Sequence, residues 1–371
     1  MHLSRDFDPQ PAPTKVFLPG RELKISKTPV LPPVSIIMPV RNEADFIERA
    51  LRAIFAQIYP VDLLEIIIAD GQSTDETRSI IESLKKETEI PVTIVENPER
   101  IAPTGLNVAI GKAKGEIIVR VDGHCEIEPD YVENCVSHLQ SGMAEAVGGP
   151  IETIGETVSA QAIAIAMSSK FGVGGSAFRT ITDREMYVDT VAFPGYKRET
   201  LQKIGPFNDE LVRNQDDEYN FRLREAGGRI LLSPDIRSRY YSRGTFKSLW
   251  RQYFQYGYWK VRVMQMHPKQ MSLRQFIPFI FVSSIGIAGF LAIFSSIGKW
   301  ALLMILSLYI FANLAAAIKA RQKSGIAILP RICLAFVILH LSYGLGFIVG
   351  LFTFRNKWKK PKDVAVVTAI L

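Results

Sequence analysis

Three long apolar runs near the C-terminus constrain this 371-residue chain most strongly. None contains Asp, Glu, Lys or Arg, and their glycines and serines favour close packing between helices. Because about 20 apolar residues span the hydrocarbon core of a bilayer, each run is long enough to cross it. The chain is therefore predicted to be a multi-pass membrane protein, with the runs at Gln275 to Gly298, Trp300 to Ile318 and Ile332 to Phe354.

The basic residues cluster around these apolar runs. The formal net charge is +7, and Lys and Arg are dense from Arg237 to Arg274, from Lys319 to Arg331 and from Arg355 to Lys362. Cations beside membrane spans face anionic lipid headgroups. No basic-aromatic module for nucleic acid is recognisable. We therefore expect membrane lipid as a partner and no nucleic acid.

The leader and the cysteines favour a soluble part that faces a reducing cytosol. Residues 1–33 are polar and rich in proline, without the apolar core of a signal peptide. Cys125, Cys135 and Cys333 have neither metal-type spacing nor a paired framework. Unpaired cysteines are usual in proteins of a reducing compartment.

Between the leader and the membrane region, short apolar runs alternate with helical patterns. The predicted strands are Val34 to Val40, Leu64 to Ala69, Pro91 to Glu96 and Glu116 to Val121. This β-α-β-α alternation predicts an α/β domain with a mostly parallel sheet. We expect a polar leader over 1–33, the α/β domain over 34–245, an interfacial amphipathic segment over 246–274, about three transmembrane helices over 275–354, and a basic tail over 355–371.

Two carboxylates follow predicted strands. Asp70 comes after the second strand, and Asp122 comes after the fourth, close to His124. In an open α/β sheet, ligands bind in the crevice beyond the carboxyl ends of the strands. Two acids there, one near a histidine, suit a metal ion and a phosphorylated ligand. A third acidic site, Asp216, lies further along the chain in Asn-Gln-Asp-Asp-Glu.

Four motifs together resemble those of the inverting family 2 glycosyltransferases. They are Met38-Pro-Val-Arg-Asn-Glu43, Asp70-Gly-Gln-Ser73, Val121-Asp-Gly-His124 and Asn214-Gln-Asp-Asp-Glu-Tyr-Asn-Phe-Arg222. The resemblance is greatest to membrane-bound enzymes of bacterial exopolysaccharide assembly, of the succinoglycan type. It implies a GT-A fold, which is a Rossmann-like domain that binds nucleotide sugars.

The resemblance implies that this domain binds a nucleotide diphosphate sugar, a UDP-sugar in particular. Asp70 matches an aspartate that contacts the base, and a carboxylate accepts a hydrogen bond from a ring N–H. From the residues alone, Asp70 is also able to close an Asx-type turn. The implied nucleotide-sugar-binding residues are Pro39, Asn42, Glu43, Asp70, Asn107, Arg120 and Asp122.

Asp122 and His124 occupy the place of the family's Asp-x-Asp motif, which implies a divalent cation, Mn²⁺ or Mg²⁺. Such a cation stabilises the charge that develops on a leaving diphosphate. His124 stands where a second aspartate is usual, and an imidazole ligand shifts a site toward manganese. We expect both residues as metal ligands. Two alternatives stay open for His124: a hydrogen bond to phosphate, or neither role.

Asp216 falls on the family's catalytic base, with Gln215 in place of the usual glutamate. Inverting transfer needs one carboxylate to remove the proton of the attacking hydroxyl. Gln252-Tyr-Phe-Gln-Tyr-Gly257 is placed like the Gln-x-x-Arg-Trp motif of polymerising relatives, without its Arg and Trp, which favours addition of a single sugar. Its aromatic residues also suit an interfacial helix. The acceptor-side candidates are Gln215, Arg222, Gln252, Gln255 and Tyr256.

The implied activity is hexosyl transfer, with inversion, to a polyprenyl-diphosphate-linked glycan on the way to an extracellular polysaccharide. One alternative is a polyprenyl-phosphate glycosyl synthase. Another is a catalytically silent scaffold or export subunit, which the presence of both Asp122 and Asp216 disfavours.

Because nucleotide sugars are made in the cytosol, we expect the catalytic domain on the cytoplasmic face of the cell membrane. Three crossings would then place the basic tail outside, against the positive-inside tendency. Either the tail is an exception, or one apolar run enters the bilayer without crossing it.

Overall fold

The computed structural model describes residues 31–242, 244–321 and 324–358. The predicted leader up to residue 30 and the predicted basic tail from residue 359 lie outside the described residues.

The main sheet is mixed, with mainly parallel strands, in the order β3-β2-β1-β4-β9-β6-β10-β8. Strands β1 to β4 run parallel, β9 is antiparallel to both of its neighbours, and β8 is antiparallel to β10. A second sheet has the order β5-β11-β7. The strands are β1 (Val34–Val40), β2 (Leu64–Asp70), β3 (Val92–Glu96), β4 (Ile117–Arg120), β5 (Cys125–Ile127), β6 (Ala146–Gly149), β7 (Ile151–Ile154), β8 (Met186–Tyr187), β9 (Ala192–Lys197), β10 (Ile230–Leu232) and β11 (Ser238–Tyr241).

Helices cover both faces of the main sheet. Ile36 of β1 packs in one buried cluster, whereas its neighbour Ile37 packs in another on the opposite face. Burial on both faces explains why these strands read as continuous apolar runs. The α-helices are α1 (Ile47–Phe55), α2 (Thr77–Leu84), α3 (Ala102–Lys112), α4 (Tyr131–Gln140), α5 (Val158–Met167), α6 (Lys170–Val173), α7 (Ala177–Thr180), α8 (Arg198–Ile204), α9 (Gln215–Glu225), α10 (Phe246–Met266), α11 (Ile277–Phe294), α12 (Ser296–Ala320) and α13 (Leu329–Thr353).

The segment predicted to be interfacial forms α10, which lies between the α/β domain and α13. Lys260 of α10 is buried and pairs with Asp217, and Arg262 of α10 binds Glu210 at 2.9 Å (Nε to Oε1). These ion pairs fix α10 to the α/β domain.

Glycines bring the backbones of α10 and α13 into direct contact. A Cβ atom added at Gly257 of α10 would lie 2.0 Å from the carbonyl oxygen of Tyr343, and one added at Gly346 of α13 would lie 2.1 Å from that of Phe254. No other residue fits at such an approach, so the two helices are joined along a glycine-lined seam.

Three helical segments are long and apolar enough to cross a membrane: Ile277–Phe294, Ser296–Ala320 and Ile326–Thr353. They match the three predicted runs, with shifted ends. The most apolar window is 11% buried in each of the first two and 50% buried in the third. Helices α11 and α12 therefore expose apolar surface nearly all round, whereas α13 is half enclosed by protein.

Candidate active site

A cavity of about 1260 Å³ opens at the carboxyl ends of β1 and β4 and extends to the membrane-type helices. Its walls include residues of β1, of the loops after β1 and β4, of the start of α9 and of the first turns of α10. This is the crevice that an α/β sheet offers to ligands. The predicted site residues along its wall are Pro39, Asn42, Glu43, Arg120, Asp122, His124, Gln215, Asp216, Gln252, Gln255 and Tyr256.

Arg120 joins the two predicted functional carboxylates. Its side chain is 6% exposed at the end of β4, and it donates to both oxygens of Asp122, from Nε at 2.9 Å and from Nη2 at 3.2 Å. Its Nη1 donates to Asp216 at the start of α9. A planar guanidinium with several fixed donors suits this bridge. The centre of the site therefore consists of two carboxylates bridged by one buried guanidinium.

The Asp216 side chain faces the cavity and is 41% exposed. Burial of the site raises the pKa of Asp216 above its ordinary value, and the nearby charge of Asp122 raises it further, although Arg120 opposes both effects. A carboxylate with a raised pKa is a stronger base, which suits removal of a hydroxyl proton.

The next two residues in the chain have structural roles. Asp217 pairs with the buried Lys260, and Glu218 binds Arg222 at 2.8 Å and His267 at 3.2 Å. Asp216 faces the cavity and, unlike Asp217, does not pair with any described residue of α10.

His124 is held by Glu43, which follows β1. Its Nδ1 lies 2.9 Å from Oε1 of Glu43, and its ring contacts the edge of Tyr240 at 5.1 Å between centroids. Burial alone would lower the pKa of His124, but the hydrogen bond and charge of Glu43 raise it to about 9. At neutral pH this imidazole is cationic and suited to donate a hydrogen bond to phosphate.

A divalent cation fits this site through Asp122. Among the described residues, no three His, Cys, Asp or Glu side chains are close enough to hold a metal ion by themselves. Nucleotide-bound Mg²⁺ usually takes one or two protein carboxylates, with phosphate oxygens and water as the other ligands. Each oxygen of Asp122 keeps a lone pair beyond its bond to Arg120. His124 would have to lose its proton from Nε2 to bind a metal ion, so its role as a ligand stays a prediction.

The loop after β1 is tied to the loop after β2. Asn42 has a left-handed backbone (φ 54°), and its Oδ1 accepts a hydrogen bond from the backbone N–H of Thr74 at 2.8 Å. Asp70 is 1% exposed and accepts from both the N–H and the hydroxyl of Ser73. It lies behind the cavity wall, in the turn-closing geometry that the sequence allowed. Its contact with a base stays a prediction.

Asn107 and Arg222, two predicted site residues, lie outside the cavity. The Asn107 side chain donates to the carbonyl oxygen of Phe207 and accepts from its N–H, both at 2.8 Å. Arg222 donates to the carbonyl oxygens of Ile204 and Pro206 at 2.8 and 2.7 Å. Both side chains brace the loop before α9, and their contact with a ligand stays a prediction.

Helix α10 contributes three of the acceptor-side candidates. Gln252 donates to the hydroxyl groups of Tyr256 and Tyr240 at 3.0 and 3.4 Å, and Gln255 accepts from the indole N–H of Trp259 at 3.1 Å. Because the ring of Tyr240 contacts His124, the bond from Gln252 to the Tyr240 hydroxyl connects α10 to the surroundings of His124. The first half of α10 therefore forms one wall of the cavity.

Two parts of the cavity were not predicted from the sequence. One is the segment of α6 and α7, which contributes Lys170 and Arg179. The other is the set of membrane-type helices, which contributes Phe281 of α11, Tyr309 of α12 and His340 of α13. Residues 171–177 are rich in glycine, and their composition alone does not predict a cavity wall.

Comparisons with known proteins identify the family. The Glycosyl transferase family 2 profile matches residues 35–205. The succinoglycan biosynthesis protein ExoA of Rhizobium meliloti is 30% identical over 87% of this chain and 96% of its own length. A Methanococcus voltae enzyme named dolichyl N-acetyl-alpha-D-glucosaminyl phosphate 3-beta-D-2,3-diacetamido-2,3-dideoxy-beta-D-glucuronosyltransferase is 27% identical over 88% of this chain and 99% of its own length.

A solved structure confirms the fold. The mannosyltransferase PcManGT from Pyrobaculum calidifontis, in complex with GDP-Man and Mn²⁺, superposes with a TM-score of 0.56 at 19% identity and covers 88% of each chain. It is a GT-A glycosyltransferase, so the predicted fold class is correct. With a curated relative matched almost end to end, the chain belongs to glycosyltransferase family 2.

Proposed function

We propose that this glycosyltransferase moves a single sugar, with inversion, from a nucleotide diphosphate sugar to a lipid-linked glycan during extracellular polysaccharide synthesis. One observation carries the proposal: a single cavity runs from the strand-end residues, past Asp216, to the apolar helices. A water-soluble donor and a membrane-bound acceptor are able to meet in such a cavity.

The reaction is a single displacement. The acceptor hydroxyl oxygen attacks the anomeric carbon from the side opposite the diphosphate, and the bond from that carbon to the diphosphate oxygen breaks. The electron pair leaves with the nucleoside diphosphate. The hydroxyl proton passes to Asp216, which acts as the general base. One displacement inverts the anomeric configuration, and the sugar centre has oxocarbenium character, as in glycoside hydrolysis.

Arg120 keeps the donor and acceptor sides separate. Two nearby carboxylates repel each other, and like charge favours protonation of one of them. By bonding to both, Arg120 keeps Asp122 directed to the donor and Asp216 directed to the acceptor. We assign Arg120 this positioning role in addition to binding of the donor.

Asp122 would hold the divalent cation, Mn²⁺ or Mg²⁺. When bound, such a cation neutralises the charge of the leaving diphosphate as a Lewis acid. The Mn²⁺ in the PcManGT complex supports a cation in this fold. His124, charged through Glu43, donates a hydrogen bond to the same diphosphate.

The name of the Methanococcus voltae relative describes transfer to a sugar already attached to dolichyl phosphate. This supports a lipid-linked sugar as the acceptor. A polyprenyl-phosphate glycosyl synthase would attack with a phosphate oxygen, which needs no strong base. The position of Asp216 at the cavity wall therefore favours a hydroxyl acceptor.

We further propose that the catalytic domain lies on the cytoplasmic face and that α11 and α12 form the membrane-crossing hairpin. Their apolar side chains are exposed at both ends and at the connecting turn, as at Ile277, Phe294, Ile297 and Ile318. Large exposed apolar surfaces mark contacts with a membrane or another protein, and the length and composition of both helices suit a membrane. The α11–α12 hairpin crosses twice and returns the chain to the cytoplasmic side.

By contrast, α13 runs along the catalytic domain without crossing. In its first half, Phe336 packs against Phe171 of α6 at 5.0 Å between ring centroids. Just past its end, Lys357 pairs with Glu210. A helix that crossed would place its ends about 30 Å apart on opposite sides of the core, and one soluble domain does not reach both. Two crossings also place the basic tail inside, which resolves the conflict with the positive-inside tendency.

The function is tested with membranes that contain the enzyme and endogenous lipid acceptors. They are incubated in turn with a panel of radiolabelled nucleotide diphosphate sugars, and the lipid extract is analysed. We expect one donor to label a lipid-soluble product that mild acid releases as a glycan. Label that appears only in a simple lipid phosphate sugar would favour the synthase.

A further inference from the structure

The cavity holds a surplus of positive charge between its donor end and its apolar end. Lys170, Arg179 and Arg251 line it, and none has an ion-pair partner among the described residues. The carboxylates of the cavity are each paired with another cation. These pairs are Glu43 with His124, Asp122 and Asp216 with Arg120, Asp189 with Arg274, and Asp217 with Lys260.

Arg179 is fixed in place although no carboxylate holds it. Its guanidinium lies over the rings of Tyr240 and Phe178, at 5.4 and 5.3 Å from the centroids, and its Nη1 donates to the Thr153 hydroxyl at 3.2 Å. Five N–H donors on one guanidinium leave several free for an anion. Because Tyr240 also contacts His124, Arg179 lies next to the donor site.

The other two cations lie on the elements that flank Arg179. Arg251 is exposed on the cavity-facing side of α10, next to Gln252, and Lys170 begins α6. Three cations from α6, α7 and α10 therefore line the same cavity. Arginine and lysine side chains are usual ligands of phosphate groups.

Beyond these cations, the wall of the cavity becomes apolar. It consists of Phe281, Leu339 and Tyr343, together with Tyr309 and His340. The polar atoms of the last two are already used: the Tyr309 hydroxyl donates to His340 Nδ1 at 2.9 Å, and His340 Nε2 donates to the Phe171 carbonyl oxygen at 2.8 Å. The Tyr309 hydroxyl and both ring nitrogens of His340 are therefore not free, and the side chains around them suit a hydrocarbon chain.

We propose that Lys170, Arg179 and Arg251 bind the diphosphate of a polyprenyl-diphosphate acceptor, and that its hydrocarbon chain leaves between α11, α12 and α13. This deepens the proposed function and rests on it. The order of surfaces matches the order of groups in such a lipid: a sugar hydroxyl at Asp216, an anion at the three cations and an apolar chain at the helices. The ligand class is an isoprenoid diphosphate, as distinct from a free diphosphate or a bulk anionic lipid.

Equilibrium binding tests this without any turnover. The full-length protein in detergent is titrated with radiolabelled farnesyl diphosphate, with no donor present. We expect saturable binding of farnesyl diphosphate. Farnesol, inorganic diphosphate and phosphatidylglycerol in detergent micelles should each compete for the site at least about tenfold more weakly than unlabelled farnesyl diphosphate, a difference of about 1.4 kcal/mol in binding free energy. Saturating UDP or GDP should not displace farnesyl diphosphate, because the proposed lipid diphosphate site is separate from the nucleotide site.

The variants Arg179→Gln and Arg251→Gln should each weaken this binding by about tenfold or more. Lys247→Gln is the matched control, since Lys247 is exposed on the same helix but does not line the cavity. Displacement by UDP, equal competition by inorganic diphosphate, or equal affinity in the arginine variants and the control would each overturn the proposal. This experiment measures binding only. A protein that binds farnesyl diphosphate as expected but transfers no sugar would contradict the proposed function and not the lipid site.

Discussion

Asp216 and Asp217 are adjacent in the chain, but their side chains bond to cations in different parts of the molecule. Asp216 binds Arg120 at the end of β4, whereas Asp217 binds the buried Lys260 of α10. Both pairs line the cavity, but the first also connects to Asp122 through Arg120, whereas the second fastens α10 to the catalytic domain. The two acids therefore have different functions.

The substitution Asp216→Asn should lower turnover by about 10²- to 10⁴-fold, because it keeps the shape of the side chain and removes its basicity. The KM for the donor should change little, since the lost step is proton removal. Steady-state kinetics with the lipid acceptor measure both quantities. Asp209→Asn, at an exposed position before the same helix, is the control and should keep normal turnover.

Removal of the predicted metal ligand should abolish transfer. Asp122→Asn and excess chelator should each have this effect, because the leaving diphosphate loses its Lewis acid. Electron paramagnetic resonance of Mn²⁺ with nucleoside diphosphate present measures binding directly. We expect Asp122→Asn to weaken Mn²⁺ binding and His124→Gln to leave it unchanged while raising the donor KM. Weaker Mn²⁺ binding in His124→Gln would restore that residue as a ligand.

A methyl group in the seam between α10 and α13 should destabilise the protein. Gly257→Ala places a Cβ atom 2.0 Å from the carbonyl oxygen of Tyr343, so a backbone must move. Overpacking of this kind costs about 1–3 kcal/mol. Gly286→Ala in α11 is the matched control, because a Cβ atom there meets nothing within 4 Å. Thermal unfolding in detergent should show a lower midpoint for the first variant alone.

Cysteine labelling in sealed vesicles tests the two-crossing topology. Single cysteines are placed at Lys247 on the catalytic side, at Ser296 in the α11–α12 turn and at Asn356 after α13, all exposed positions. An impermeant reagent should label Lys247→Cys and Asn356→Cys from the same side, and Ser296→Cys from the other. Labelling of Asn356→Cys together with Ser296→Cys would establish three crossings.

Much of the donor side could be predicted from the sequence. The prediction for β1, Val34 to Val40, matches the structure because a strand buried on both faces is a continuous apolar run. Side chains that directly follow such strands must lie at the edge of the sheet. This rule alone places Asp122 and His124 at the cavity.

The contacts between distant parts of the chain could not be predicted in this way. The resemblance implied that Arg120 binds the nucleotide sugar, but no local pattern predicts its bond to Asp216, 96 residues away. The side chains of Asn107 and Arg222 also bond to backbone groups of the loop before α9, which no local pattern predicts. Local pattern does not reveal which side chain satisfies a buried carbonyl group.

The membrane region shows the same limit. Hydropathy identified three runs of similar length, and composition alone cannot separate a crossing helix from one that packs on a domain. Gly257 and Gly346 allow α13 to pack closely on α10, and this contact is visible only in the folded structure. A glycine in an apolar helix is otherwise unremarkable in sequence.

Product analysis tests the central claim most directly. Purified enzyme is given one lipid-linked acceptor and an excess of the donor identified in the membrane assay. Mass spectrometry gives the number of sugars added, and nuclear magnetic resonance gives the anomeric configuration of the new linkage. We predict a product one sugar longer, with the configuration opposite to that of the donor. A retained configuration, or a ladder of many added sugars, would contradict the account.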